Sequence, residues 1–225
     1  MNRAHQYHLP KVRLSPWLLL AALLPALAGC FGAAMVGAGA GALMLSDRRP
    51  SDTYVADEAI EVRVGNRISE KFGDKVHVNV TSYNRTALIT GEVPDAAKKA
   101  EVEQLVSAVP NVKATVNELQ IAGVSSFGGR SNDSYLTSKV KARFVDANRF
   151  SPNHVKVVTE SGTVYLLGLV TQREADAAVE IARTTAGVQR VVRVFEFLPE
   201  EQARQLDSAA PERGAAPKPV ESTKH

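Results

Sequence analysis

A single cysteine stands among 225 residues. Cys30 has no second thiol to pair with, so an intramolecular disulfide is excluded. No Cys or His lies at metal-ligand spacing from it, which removes a structural zinc site. Aromatic residues make up only 6% of the chain, and there are five histidines. Beyond the first thirty residues these are His77, His154 and His225. None has a carboxylate or nucleophile at a readable spacing, and His77 and His154 read as outward-facing surface residues at the starts of two strands. The Gly-x-Ser-x-Gly pattern of a serine hydrolase is missing. The pairs Glu101/Glu103 and Glu200/Glu201 read as solvated charges. The chain therefore reads as non-enzymatic, with no cofactor and no metal.

Long apolar runs are also missing. Leu14 to Leu27 is apolar but interrupted by Pro16 and Pro25, and falls short of the roughly 20 residues that span a bilayer. Arg3, Lys11 and Arg13 precede it without an acid. A basic start, a short apolar core and small residues at its end make residues 1–29 a secretory signal peptide. The run closes on Leu27-Ala-Gly-Cys30, which resembles the lipobox of bacterial lipoproteins. The resemblance implies cleavage before Cys30 and acylation, with palmitate among the chains, on its sulfur and new amine. Each buried methylene contributes about 0.8 kcal/mol, and more than one chain anchors stably. Phe31, not Asp, follows the cysteine, which in this resemblance implies the periplasmic face of the outer membrane.

Net charge is equally instructive. The whole chain carries +3, and the three bases of residues 1–29 account for all of it. A neutral remainder argues against nucleic acid, whose phosphates demand a basic face. Residues 30–53 read as a lipidated Gly/Ala-rich leader and polar linker. Gly37-Ala-Gly-Ala-Gly41 follows no strand and has no partner Lys or Asp, so it is not a phosphate loop. Residues 199–225, with four prolines and no periodicity, read as a disordered tail.

The middle of the chain repeats. Val78-Asn-Val80 and Ala87 to Val93 align with Val155-Lys-Val157 and Val164 to Val170 at an offset of 77, and Ile60, Val64 and Ile68 align with Leu136, Val140 and Phe144 at 76. Two copies are too few for a solenoid and indicate duplicated domains. Each copy predicts a helix (57–71; 133–147) with apolar residues at i, i+4 and i+8. Asp57 and Ser131-Asn-Asp133 offer N-caps. Two alternating strands follow, closed by turns at Asn84-Arg85 and Glu160-Ser-Gly162. A second helix (95–108; 172–185), capped by Asp95 or Thr171, leads to a last strand (112–121; 188–198). The order is αββαβ, and the fold class is α+β: two tandem domains, 54–123 and 131–198, joined by a linker at 124–130. In each, two helices cover one face of a three-stranded mixed sheet.

The steps Gly91-Glu-Val93 and Gly168-Leu-Val170 are each followed by an Ala-rich helix, then by Pro110-Asn-Val112 or Gly187-Val188. This pattern resembles the BON domain in both copies.

The copies differ in charge. Residues 54–123 hold eight bases and ten acids; residues 131–198 hold nine and seven. Anionic headgroups attract basic residues by about 1 kcal/mol each, which favours the second copy. On its first helix Tyr135, Lys139, Ala142 and Arg143 share a face beside the core stripe. A ring at headgroup depth with cations at phosphates suits that set. Resemblance to dual-BON outer-membrane lipoproteins implies the same assignment, although family members often carry Trp where Tyr135 stands. Packing of Tyr135 on the linker or the other domain is the competing reading. Two function classes remain: a binder of anionic phospholipid that supports outer-membrane integrity, and a non-catalytic adaptor for an envelope protein.

Overall fold

The computed structural model describes residues 47–123 and 125–213. The signal segment, Cys30, the leader up to residue 46 and the tail from 214 lie outside the described residues. The first repeat comprises α1 (Ser51–Phe72), β1 (His77–Tyr83), β2 (Thr86–Val93), α2 (Ala96–Ser107), β3 (Ala114–Asn117) and β4 (Gln120–Ile121). The second comprises α3 (Phe127–Ala147), β5 (Lys156–Glu160), β6 (Thr163–Val170), α4 (Gln172–Arg183) and β7 (Arg190–Phe197). A further helix, α5 (Glu200–Arg213), follows.

Both sheets are mixed, as expected. β2 lies between antiparallel β1 and parallel β3 and β4; β6 lies between antiparallel β5 and parallel β7. The expected last strand of the first repeat is broken at Glu118-Leu119 into β3 and β4. Leu119 turns into the core, and Asn117 Oδ1 accepts from its N–H.

Alternation sorts each sheet into two faces. In the first repeat Ala87, Ile89 and Val93 pack with Ile60, Val64 and Ile68 of α1 and Val102 and Val106 of α2. In the second, Val164, Leu166 and Val170 pack with Val140 and Phe144 of α3 and Ala178 and Ile181 of α4. The opposite faces are not solvated. Tyr83 and Leu88 form one buried cluster with Tyr165, Leu167 and Leu169. The two sheets therefore face each other, and β2 and β6 are buried on both sides. Fully burying a side chain of this size contributes about 1.5–3 kcal/mol.

The Gly-x-Val steps now have a physical reason. A Cβ on Gly91, whose φ is +112°, would lie 2.0 Å from the carbonyl oxygen of His77. One on Gly168 would lie 2.4 Å from that of His154. Both glycines let the chain entering the first strand of each hairpin run against the second.

Four expectations need correction. The helices that open the repeats begin earlier, at Ser51 and Phe127, so the end of the leader and linker at 30–53 and the linker at 124–130 both give way in part to helix. Asp57 and Asp133 consequently sit inside helices and are not N-caps. Their carboxylates reach the hairpin turns instead. Asp57 accepts from the backbone N–H groups of Asn84 and Arg85 and from Ser82 Oγ. Asp133 accepts from those of Ser161 and Gly162. Each turn has two residues at positive φ, which leaves turn N–H groups directed at one acceptor. Asp95 and Thr171 do cap α2 and α4, the latter in a capping box with Glu174.

The tail also departs from expectation over 200–213, which is helical. Ala203 is buried, and Asp207 meets Arg48, a residue 159 positions earlier. A contact so remote leaves no trace in local composition. Lastly, His77 and His154 are not outward surface residues. His154 is buried, with its ring nitrogens 3.5 Å from Glu174 and Asp207. His77 lies at the seam between the sheets.

Candidate functional site

The face expected to meet lipid is formed by the exposed side of α3. Leu136, Val140 and Phe144 turn that helix inward, which sends Tyr135, Ser138, Ala142 and Val145 outward. Tyr135 is 64% exposed, so it does not pack on the linker or the other repeat. Val145 is 62% exposed, and Ser138, Lys141 and Ala142 are exposed as well. Spacings of three, four and three residues place Tyr135, Ser138, Ala142 and Val145 along one stripe. Lys141 and Val145 were not singled out in the sequence; the spacing from Tyr135 and Ala142 could have found Val145.

The two expected cations are partly engaged elsewhere. Lys139 Nζ donates to Ala186 O at 2.8 Å and lies 5.7 Å from the centre of the Tyr135 ring. Arg143 Nη1 donates to Ile181 O and to the hydroxyls of Thr184 and Thr185. Both thus close the C-terminal end of α4, where carbonyls lack helical partners and cations are favoured. Helical spacing places Tyr135, Lys139, Ala142 and Arg143 on one side of α3, but the two cations are half-buried and support the fold as well as the surface.

A second cluster is built by tertiary structure. His77 opens β1, Glu92 lies across from it on β2, and Glu160 ends β5. His77 Nδ1 is 2.8 Å from Glu92 Oε2 and 3.9 Å from Glu160 Oε1. The side chains of Glu92 and Glu160 are 3% and 6% exposed. Asn79 Nδ2 donates to Glu160 Oε2 at 2.8 Å, and Ser161 Oγ to Glu92 Oε1 at 3.1 Å. These bonds cross from one repeat to the other. Burial alone would raise the Glu92 carboxyl, but His77, Ser125 and Ser161 together hold it below the usual range. Burial pushes Glu160 the other way, up. A groove of about 460 Å³ opens beside the cluster, lined by His77, Asn79, Arg130, Asp133 and Glu160 among others.

Arg48 forms a third polar centre. With its side chain 2% exposed, it donates to both oxygens of Glu174, to both of Asp207 and to Leu169 O. Burial opposes the charge on Glu174, yet His154 and Arg48 hold its carboxyl well below the ordinary value. Arg49 pairs with Asp47 and Asp57 and lies 4.0 Å over the Tyr83 ring. The residues just before α1 are therefore bound to both repeats and to α5.

Residues 56–123 and 132–199 each match the BON domain. The chain belongs to the BON-domain family. It is 38% identical over 190 residues to the outer membrane lipoprotein DolP of Haemophilus influenzae, an alignment covering 82% of this chain and 98% of that one. It is thus a DolP-like protein with two BON domains. A 21 kDa hemolysin of Actinobacillus pleuropneumoniae is 30% identical, over 68% of this chain and 79% of its own length. The osmotically-inducible protein Y of Escherichia coli is 28% identical, over 61% and 71%. Among the described residues no helix is long and apolar enough to cross a membrane.

Proposed function

We propose that this BON-domain protein is an outer-membrane lipoprotein, held by acyl chains on Cys30 at the periplasmic face. There its second repeat binds anionic phospholipid through α3 and so supports the integrity of the membrane. The observation that carries the reading is the exposed Tyr135, Ala142 and Val145 stripe, bordered by Lys139, Lys141 and Arg143. From Ser134 to Val145 this helix carries no acid. The matching helix α1 of the first repeat has Ala59 where Tyr135 stands and intersperses Glu58, Glu61 and Glu70, which repel a negative surface. The name of the Haemophilus relative supports the location.

The test is sedimentation of residues 46–225 with vesicles of phosphatidylethanolamine alone or with added phosphatidylglycerol. Binding should require the anionic lipid and weaken with salt. Tyr135→Glu combined with Ala142→Glu changes the exposed stripe while keeping Lys139 and Arg143 themselves in place. It should reduce the bound fraction at least tenfold, from about 2 kcal/mol of charge repulsion. Unchanged sedimentation of that variant would remove α3 as the binding face.

A further inference from the structure

We propose that His77, Glu92 and Glu160 bind a divalent first-row transition metal ion such as Zn²⁺ at the seam between the two BON domains. One imidazole nitrogen and one oxygen from each carboxylate already lie within 4.8 Å of one another. Zinc holds nitrogen at about 2.0–2.1 Å and carboxylate oxygen at about 2.0–2.2 Å, so small side-chain movements close the shell. A hard–borderline donor set of one imidazole and two carboxylates suits Zn²⁺ or Mn²⁺ and disfavours soft Cu(I).

The charge is incomplete without a cation. Two carboxylates more than nine-tenths buried face one imidazole. Among the described residues no Lys or Arg ion-pairs with either of them. Independently of that, Glu160 Oε1 accepts no hydrogen bond among the described residues: Asn79 and Thr90 both donate to Oε2. The free oxygen is the one directed toward His77 Nδ1. Glu160 lines the groove, and a metal ion bound there would pair this oxygen. The groove beside it gives entry and leaves room for water as a fourth ligand.

Surrounding groups can hold the ligands in place. Ser161 Oγ and the Ser125 N–H fix Glu92. When the ion takes Nδ1, the ring proton sits on Nε2, and water in the groove that His77 lines can accept it. Because Glu160 belongs to the second repeat and the other two ligands to the first, the ion would clamp the repeats together.

The test is titration of the full chain in detergent with Zn²⁺ against a chromophoric chelator, followed by thermal unfolding. The expected result is one ion lost on changing Glu160→Gln or His77→Gln, with at least tenfold weaker uptake and loss of the zinc-dependent rise in Tm. Equal uptake by parent and variants, or no uptake by the parent, would overturn the proposal. If a variant fails to fold, ring ¹⁵N signals of the parent decide: zinc must shift the His77 Nδ1 resonance and leave His154 unmoved. An unshifted His77 ring would be equally fatal.

Discussion

The two repeats share one backbone plan and use it differently. In each, an aspartate inside the first helix holds the hairpin turn by its N–H groups. Asp57 does so within a crowded polar centre that includes Arg49 and Ser82, while Asp133 has the turn N–H groups of Ser161 and Gly162. The first helix of the first repeat is shielded by acids; that of the second shows a tyrosine between cations. Duplication preserves what folding requires, the core stripe, the close-approach glycine and the turn acceptor. It leaves the outer face and the flanking charges free to diverge.

The glycines give the sharpest way to break this symmetry. Gly91→Ala should destabilise by at least about 3 kcal/mol, because positive φ and a backbone clash act together. Gly168→Ala meets a backbone oxygen slightly farther away and should cost less. Denaturant unfolding of both variants checks the order; equal losses would show that the two close approaches are equivalent.

Next in size is Arg48, which joins the segment before the first repeat to the second. Arg48→Met leaves Glu174 buried without its guanidinium and should cost about 3–5 kcal/mol. It also carries a pH signature. Glu174 is depressed in the folded state, so it contributes stability above its unfolded pKa of about 4.3. That contribution fades as pH falls toward the lower folded value. Thermal unfolding from pH 6 to pH 3 should therefore fall more steeply for the parent than for Arg48→Met.

The smallest difference concerns the turn acceptors. Asp133→Ala should cost about 1–3 kcal/mol for unsatisfied turn N–H groups. Asp57→Ala should exceed it, since it also leaves Arg49 without one of its partners. Urea midpoints at constant m-value decide the comparison.

Much of the fold was legible in residue order. The 76- and 77-residue offsets, the alternation in both hairpins and the caps Asp95 and Thr171 correspond to observed elements. The unbroken run Val164-Tyr-Leu-Leu-Gly-Leu-Val170 carries a further signal: a strand apolar on both sides is buried on both sides. That signal would have pointed to the packed seam and to a protected His77. Helical spacing puts Tyr135, Lys139, Ala142 and Arg143 on one face of α3, but the engagement of Lys139 and Arg143 with the end of α4 depends on residues about 40 or more positions away, which helical spacing does not see.

Periodicity, turn chemistry and composition alone determined the duplicated αββαβ units, because these depend on neighbours within a few residues. The facing of the two sheets, the clamp at Arg48, the helix over 200–213 and the convergence of His77, Glu92 and Glu160 were decided only by the tertiary structure. Each of those rests on groups brought together from distant positions, where burial and charge act through space and not along the chain.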